Sequence, residues 1–345
     1  MKQLHNKINR HELRQKMLEN QEARTTISFY RYAQIANPQL FRDYLYLHLE
    51  ELGVMGRIYV ANEGINAQIS VPNEHMEDFK TFLNNIDFLE NVRLNIAVED
   101  NGKSFFKLKI LVRSKIVADG LDDALFDASK PGRYLDAANF NEIIAQENTI
   151  LVDMRNHYES EIGHFKGAIT PDVDTFRDSL PIIEDMLKGN EDKNLVMYCT
   201  GGIRCEKASA WFKHKGFKNV FHLEGGIIKY AHDIEKNDLE NKFIGKNFVF
   251  DERMGESVGH EIIAHCHQCG NPFDTHTNCK NEACHILFIQ CPACAEKYNG
   301  CCSEACQEIY ALPLEEQRAL RKGKVTKRNV FRKGRFPKAV AEKED

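Results

Sequence analysis

The chain has 345 residues, of which 42% are hydrophobic and 28% are charged. This composition is ordinary for a folded protein of two or three domains, and it excludes disorder throughout the chain. No stretch approaches the roughly 18 unbroken apolar residues of a membrane helix, and the polar first twenty residues lack the apolar core of a signal peptide. We therefore expect a cytoplasmic protein that does not bind a membrane.

The net charge of −5 is unevenly distributed. Residues 318–338 hold ten basic residues and no acidic one, so the rest of the chain is strongly acidic. We expect residues 313–345 to be a disordered basic tail. Its cations could bind phosphates while Phe331 and Phe336 stack on bases. A solvated tail that only aids solubility is the alternative.

The N-terminal third begins with a predicted lead-in helix over residues 1–21. Residues 22–120 then show strand and helix patterns in the order β-α-β-β-α-β, which is typical of the ferredoxin-like fold. Sheets of this kind can bind RNA through aromatic residues on one face. The candidates are Phe29, Tyr30, Tyr32 and Tyr59, but the sequence does not assign them to faces.

Asn62-Glu63-Gly64 separates two alternating apolar runs, which predicts a β-hairpin. An ordinary turn is the favoured interpretation of these polar residues, and a ligand site is the alternative.

Residues 131–240 alternate short apolar runs with helical patterns, which predicts a parallel sheet covered by helices on both faces. Functional groups in such sheets gather at the carboxyl ends of the strands. Asp153 and Cys199 both lie at predicted strand ends. The predicted fold class is therefore α/β, with an α+β domain at the N-terminal side.

The segment around Cys199 predicts a strand, a tight loop and a helix in succession. Thr200, Gly201, Gly202 and Ile203 form the loop, and Arg204 opens the helix. The two glycines allow several backbone N–H groups to converge on one point at the positive end of the helix dipole. A thiol there has a lowered pKa, and Arg204 adds a cation, so Cys199 is the candidate nucleophile.

Two alternatives remain for the cysteines of this segment. Cys199 could be a buried structural residue beside a glycine-rich turn. Cys205 could resolve a persulfide on Cys199 as a disulfide, but a small buried helix residue is the favoured interpretation.

The four-residue interior between Cys199 and Arg204 is one residue shorter than in cysteine phosphatases, and the shorter loop suits a terminal sulfur atom. With these residues, the segment 131–240 resembles a rhodanese domain. The matching motifs comprise Asp153 and Arg155, Glu159, the turn of Gly163, His164, Gly167 and Ala168, and the Gly-Gly turn within 223–227. The resemblance implies that Cys199 carries a persulfide stabilised by Arg204 and the loop amides.

Residues 241–312 form a cysteine-rich segment. It contains nine of the eleven cysteines, at positions Cys266, Cys269, Cys279, Cys284, Cys291, Cys294, Cys301, Cys302 and Cys306. Closely spaced pairs in a reducing compartment indicate metal ligands, and nine thiols allow two four-cysteine zinc sites with one left over. The alternative histidine ligands are His265, His267, His276 and His285. An iron–sulfur cluster is the other candidate.

Over roughly residues 4–315, the chain resembles the bacterial tRNA uridine hydroxylase family. The resemblance is carried by the ferredoxin-like or acylphosphatase-like N-terminal domain, the segment CTGGIRCEKASAWFKHKGF, the linker FIGKNFVFDERMGE and the cysteine cluster. The resemblance implies that tRNA is the substrate, that molecular oxygen is the co-substrate and that wobble uridine becomes 5-hydroxyuridine. We find no flavin or nicotinamide motif.

The residues alone leave three functions open. The first is the hydroxylation that the resemblance implies, and the loop around Cys199 suggests that a sulfur nucleophile there activates the uracil ring toward oxygen. The same loop could serve a persulfide-forming sulfurtransferase acting on tRNA or on a small acceptor. The third possibility is a non-enzymatic zinc protein that binds RNA.

Overall fold

The computed structural model describes residue 4 and residues 10–122, 125–127 and 130–321. No helix in these ranges combines the length and the apolar composition that a membrane crossing requires. The structure confirms the predicted fold class.

The N-terminal domain is built on a five-stranded sheet. Its elements are α1 (Arg10–Glu19), β1 (Arg24–Tyr32), α2 (Pro38–Glu51), β2 (Met55–Ala61), β3 (Gly64–Pro72), α3 (Met76–Asn84), β4 (Asn95–Ile96) and β5 (Leu108–Val112). Two of its helices, α2 and α3, pack on one face of the sheet. The strand order is β4-β1-β3-β2-β5, and only the β2–β5 pair is parallel. The predicted hairpin is the β2–β3 pair.

Alternation along the strands decides which face of this sheet is buried by the helices. Ile58 and Val60 of β2 are fully buried in the core, together with Ile65, Ala67 and Ile69 of β3. Because side chains alternate across a strand, the polar residues between them must lie on the opposite face. That second face is turned toward the next domain.

The central domain has the predicted parallel sheet. Its elements are β6 (Arg133–Leu135), α4 (Ala137–Ile144), β7 (Thr149–Asp153), α5 (His157–Ser160), β8 (Gly163–Phe165), α6 (Phe176–Leu187), β9 (Asn194–Tyr198), α7 (Ile203–His214), β10 (Asn219–Leu223) and α8 (Gly226–Asn237). The order is β6-β10-β9-β7, with every pair parallel. Separate apolar clusters cover the two faces.

The C-terminal segment joins the central domain through β11, which pairs antiparallel with β8. Its elements are β11 (Phe243–Asn247), β12 (Glu256–Ser257), β13 (His276–Asn278), β14 (Leu287–Ile289), α9 (Pro292–Lys297), α10 (Glu304–Ala311) and α11 (Leu314–Arg321). The predicted tail therefore begins with a helix, and residues 322–345, including Phe331 and Phe336, lie outside the described part. In the predicted lead-in helix, residues 1–3 and 5–9 likewise lie outside it.

Candidate active site

Cys199 follows β9 directly, and α7 begins four residues later. Gly202 precedes the helix with φ of +102°, a value that L side chains rarely adopt. This backbone turn directs the Gly202 N–H at the Cys199 Sγ, with a separation of 3.2 Å. The loop therefore has the strand–turn–helix form expected from the sequence.

The Cys199 side chain exposes no surface, and on one side it packs in an apolar cluster. Burial alone would raise the pKa of its thiol. A hydrogen bond with the Cys205 side chain, the charge of Arg204 and the amides of both residues outweigh burial and lower this pKa to about 6. Burial and the contact with Cys199 raise the pKa of Cys205 instead. Cys199 is therefore the thiol of this pair that ionises near neutral pH.

Arg204 is not a free cation. Its Nη1 and Nη2 donate to the two carboxylate oxygens of Glu159 at 2.6 and 2.8 Å, and Glu159 is fully buried. The Arg204 Nη2 also lies 3.4 Å from the hydroxyl of Thr200. The guanidinium is thereby oriented beside the loop, with most of its charge compensated.

Asp153 and Arg155 form a second buried ion pair, with an Nη2–Oδ2 distance of 2.7 Å and no exposed side-chain surface. Arg155 also donates to the Gly163 carbonyl oxygen at 2.6 Å and lies near the Tyr198 ring. This pair connects the ends of β7 and β8 behind the loop.

The Gly-Gly turn before α8 packs on the other side of the Cys199 loop. A Cβ at Gly226 would lie 2.5 Å from the carbonyl oxygens of Cys199 and Thr200, so no side chain fits there. The Ile227 and Ile228 N–H groups donate to the same two carbonyls at 3.0 and 3.2 Å. These bonds fix the backbone of the loop.

The N-terminal sheet covers the Cys199 loop, an arrangement that the sequence did not predict. Tyr30 Oη donates to Glu206 at 2.9 Å, and Tyr32 Oη donates to the Ile203 carbonyl at 3.3 Å. Between the sheet and the loop lies a cavity of about 400 Å³, which Cys199 lines. Of the four aromatic candidates for RNA stacking, Phe29 is buried in the core, Tyr30 and Tyr32 bind α7, and Tyr59 lines the cavity.

A buried ion network also joins the two domains. The Lys207 Nζ on α7 lies 2.5 Å from Glu63 of the β2–β3 turn and 2.7 Å from Asp119. Glu63 also accepts a hydrogen bond from the Ile116 N–H at 2.7 Å. Glu63 therefore forms an ion pair across the domain boundary. Its position in the Asn-Glu-Gly turn was the only signal for it in the sequence.

Eight of the nine C-terminal cysteines form two interleaved groups. The first thiolate group contains Cys266, Cys269, Cys291 and Cys294, and the second contains Cys279, Cys284, Cys302 and Cys306. Within each group all sulfur atoms lie within 4.8 Å of one another. The Cys269–Cys291 and Cys284–Cys302 sulfur separations are 3.6 and 3.7 Å, which suits four thiolates around one tetrahedral ion. Each group could hold a metal ion.

Cys301, also a ligand candidate in the sequence, belongs to neither group. It is fully buried and packs in an apolar cluster with Cys279 and Phe288. The four candidate histidines also lie outside both groups. His267, for example, has its ring nitrogens engaged by Glu161 and by the Ile289 N–H.

Family models match three successive parts of the chain. They are the UPF0176 acylphosphatase like domain over residues 24–116, the Rhodanese-like domain over residues 136–233 and the Rhodanase C-terminal model over residues 244–307. Among solved structures, the Rhodanese-like domain of an Anabaena protein shares 17% identity with a TM-score of 0.27, covering 34% of this chain and 80% of that one. A likeness this low adds nothing to the assignment.

Full-length relatives extend these matches across the chain. Proteins named tRNA uridine(34) hydroxylase from Photorhabdus laumondii, Escherichia fergusonii and Yersinia enterocolitica are 56%, 57% and 58% identical over 333 residues. Each alignment covers 96% of this chain and 95% of the relative. The chain therefore belongs to the tRNA uridine(34) hydroxylase family.

Proposed function

We propose that this protein hydroxylates uridine 34 of tRNA to 5-hydroxyuridine, with molecular oxygen as co-substrate and Cys199 as the nucleophile. The observation that carries the proposal is the position of Cys199, which lines a cavity between two domains. Its sulfur accepts a hydrogen bond from the Gly202 N–H. The cavity volume of about 400 Å³ lies in the usual range for small-molecule sites. We infer the substrate, uridine 34 of tRNA, from the family to which the chain belongs.

The chemistry follows from a sulfur nucleophile beside a uracil ring. The sulfur held by Cys199 adds to C6, and the electron pair of the ring moves to C5. C5 takes one oxygen atom from O₂, and loss of the C5 proton and of the sulfur restores the ring. The second oxygen atom leaves as water, using two protons and two electrons from an external thiol or another two-electron reductant.

Burial of Cys199 favours a persulfide as the attacking group. The thiol itself exposes no surface. Attack of the Cys199 thiolate on the outer sulfur of a persulfide donor, which leaves as a thiolate, would add a second sulfur at about 2.05 Å that extends beyond the loop toward the cavity. The Gly202 N–H and the helix dipole would stabilise negative charge on the pair of sulfurs.

We propose further that each thiolate group binds one zinc ion. Thiolates around zinc at about 2.3 Å lie roughly 3.8 Å apart, close to the separations observed here. Main-chain N–H groups of Cys291 and Cys302 point at the sulfurs of Cys266 and Cys279 at 3.4 Å, as expected around thiolates. Four thiolates leave no open position on a tetrahedral ion, so the zinc would stabilise the fold. An iron–sulfur cluster is the alternative occupant.

A sulfurtransferase remains the second candidate, because the four-residue loop interior suits a persulfide whichever acceptor follows. Adding oxygen to uridine and replacing one of its oxygens by sulfur change the nominal mass equally. An isotope label must therefore separate the two reactions.

The decisive experiment incubates the purified protein with unmodified tRNA, ¹⁸O₂ and a two-electron reductant, followed by mass spectrometry of the nucleosides. We expect one labelled oxygen on uridine 34 with the native protein and none with Cys199→Ser. Unlabelled product that contains sulfur would instead support the sulfurtransferase. RNA binding without any product from either protein would support a non-enzymatic role.

A further inference from the structure

The face of the N-terminal sheet that is turned toward Cys199 is polar. Its side chains alternate with the core residues along β1, β2 and β3, and they line the same cavity as Cys199. Those with polar groups directed to this face include Ser28, Arg57, Tyr59, Asn66 and Gln68. Unlike Tyr30 and Tyr32, none of these side chains forms a hydrogen bond to the described residues of the central domain, so this face is open to a ligand.

The orientation of two amides on this face is fixed. Asn66 Nδ2 donates to the Ile116 carbonyl oxygen at 3.2 Å, and a carbonyl can only accept. Asn66 Oδ1 must therefore be the atom that accepts from Gln68 Nε2, at 2.6 Å. This places the Gln68 Oε1 at the end of the chain of hydrogen bonds, and no donor within the described ranges reaches it.

A group of cations borders the same face. Arg57 of β2 lies opposite Lys109 of β5 in the parallel register, and Lys107 and Arg113 lie nearby. Burial and then the repulsion from these three neighbours lower the pKa of Lys109. None of the four has an acidic partner in the described part of the chain. We call these four residues the cation strip.

Tyr59 connects the cation strip to the cavity. It lines the cavity, and the Arg113 guanidinium lies 5.8 Å from the centre of its ring. A flat ring beside cations is the combination that binds single-stranded RNA, because bases stack on the ring while phosphates meet the charges.

We propose that this sheet face binds the RNA and that Gln68 selects uracil, its Oε1 accepting a hydrogen bond from the uracil N3–H. The cation strip then contacts the phosphates next to the reacting nucleotide, and Tyr59 stacks on a neighbouring base. Cytosine has an acceptor at N3 in place of the donor, so it leaves the Gln68 oxygen unpaired. The proposal rests on the proposed function and assigns its substrate-selecting residue.

The test of Gln68 uses anticodon stem-loop RNAs with uridine, 3-methyluridine or cytidine at position 34. The methyl group removes the N3–H without changing the rest of the ring. We expect the native protein to bind the uridine RNA about tenfold more tightly than either analogue. Gln68→Leu should lose this preference, whereas Gln39→Leu on the outer surface of α2 should retain it. A Gln68→Leu protein that still discriminates like the native protein would overturn the assignment.

The test of the cation strip measures affinity against salt concentration. Arg57→Gln and Lys109→Gln should each reduce the slope of log K against log salt by about 0.7, the value for one phosphate contact with a single strand. The matched control is Lys80→Gln on α3, which packs on the opposite face of the same sheet. Slopes equal to that of the control would exclude the strip from binding.

Tyr59 is tested in the same assay with two substitutions. Tyr59→Leu should weaken binding about 5- to 100-fold through loss of stacking, and Tyr59→Phe should remain near the native affinity. Equal affinities for both variants would exclude stacking.

Binding is measured without oxygen, so these results do not depend on catalysis. Native selectivity for uridine with no ¹⁸O incorporation would reject the proposed function and retain the inference. Incorporation by the native protein and Gln68→Leu alike, with equal selectivity, would reject the inference and retain the function.

Discussion

The Arg204 guanidinium and the Glu159 carboxylate form a bidentate ion pair, although the two residues lie 45 positions apart in the chain. Arg204 is the second residue of α7, close to the nucleophile, and Glu159 lies in α5. Glu159 also accepts a hydrogen bond from the Asn156 N–H at 3.0 Å. The arginine therefore acts on Cys199 from a fixed position and with a compensated charge, which makes it a positioning residue for the loop.

Glu159→Gln should destabilise the protein strongly, because it leaves the buried Arg204 charge without its partner. The expected loss is about 3–5 kcal/mol of unfolding free energy. Thermal or urea unfolding measures this loss, and the double variant Glu159→Gln/Arg204→Met should recover most of it. A loss below about 1 kcal/mol in the single variant would mean that the pair contributes little.

The pKa of the free Cys199 thiol, lowered to about 6, sets the pH dependence of its conversion to a persulfide. The thiolate is the form that attacks a sulfur donor, so the rate of persulfide formation should fall as the pH decreases through about 6. Cys205→Ala removes a hydrogen bond that lowers this pKa, so the midpoint should move to higher pH. The control Cys301→Ser should leave it in place. An unchanged midpoint in Cys205→Ala would show that the Cys205 contact does not tune Cys199.

Metal content separates the two thiolate groups from the remaining cysteine. We expect two zinc ions per chain in the native protein and in Cys301→Ser, and about one in Cys294→Ser. Elemental analysis of the purified proteins measures the content. A loss of zinc in Cys301→Ser equal to that in Cys294→Ser would contradict the grouping.

Gly202→Ala should reduce activity by more than the strain of a positive φ angle alone would explain. A Cβ there would lie 3.0 Å from the Tyr30 Oη, and the Gly202 N–H is the donor to Cys199. The control is Gly216→Ala, where φ is +94° and nothing lies within 4 Å of the added carbon. Both should lose about 1–2 kcal/mol of stability, but only Gly202→Ala should lose most of the activity. Equal activities would mean that the contact with Tyr30 is unimportant.

The sequence predicted those features that depend on neighbours along the chain. Period-two alternation and turn residues were sufficient for the N-terminal sheet, and short apolar runs between helical patterns were sufficient for the central sheet. The strand, glycines and helix around Cys199 were sufficient for its loop. Three features were not predictable from the sequence. They are the pairing of Arg204 with Glu159, the face of the sheet on which Tyr30 and Tyr32 lie, and the interleaving of the cysteine pairs. Each depends on segments that meet only in the folded chain, and their sequence spacing fits several arrangements.

The ion network of Lys207 has a practical consequence for anyone who would study the central domain alone. Lys207 is 1% exposed, and both of its acidic partners, Glu63 and Asp119, precede residue 131. A fragment excised at that point would carry an uncompensated ammonium group on the helix that starts at the Cys199 loop. Inactivity of such a fragment would report damage from truncation and would say nothing about what the intact enzyme can do.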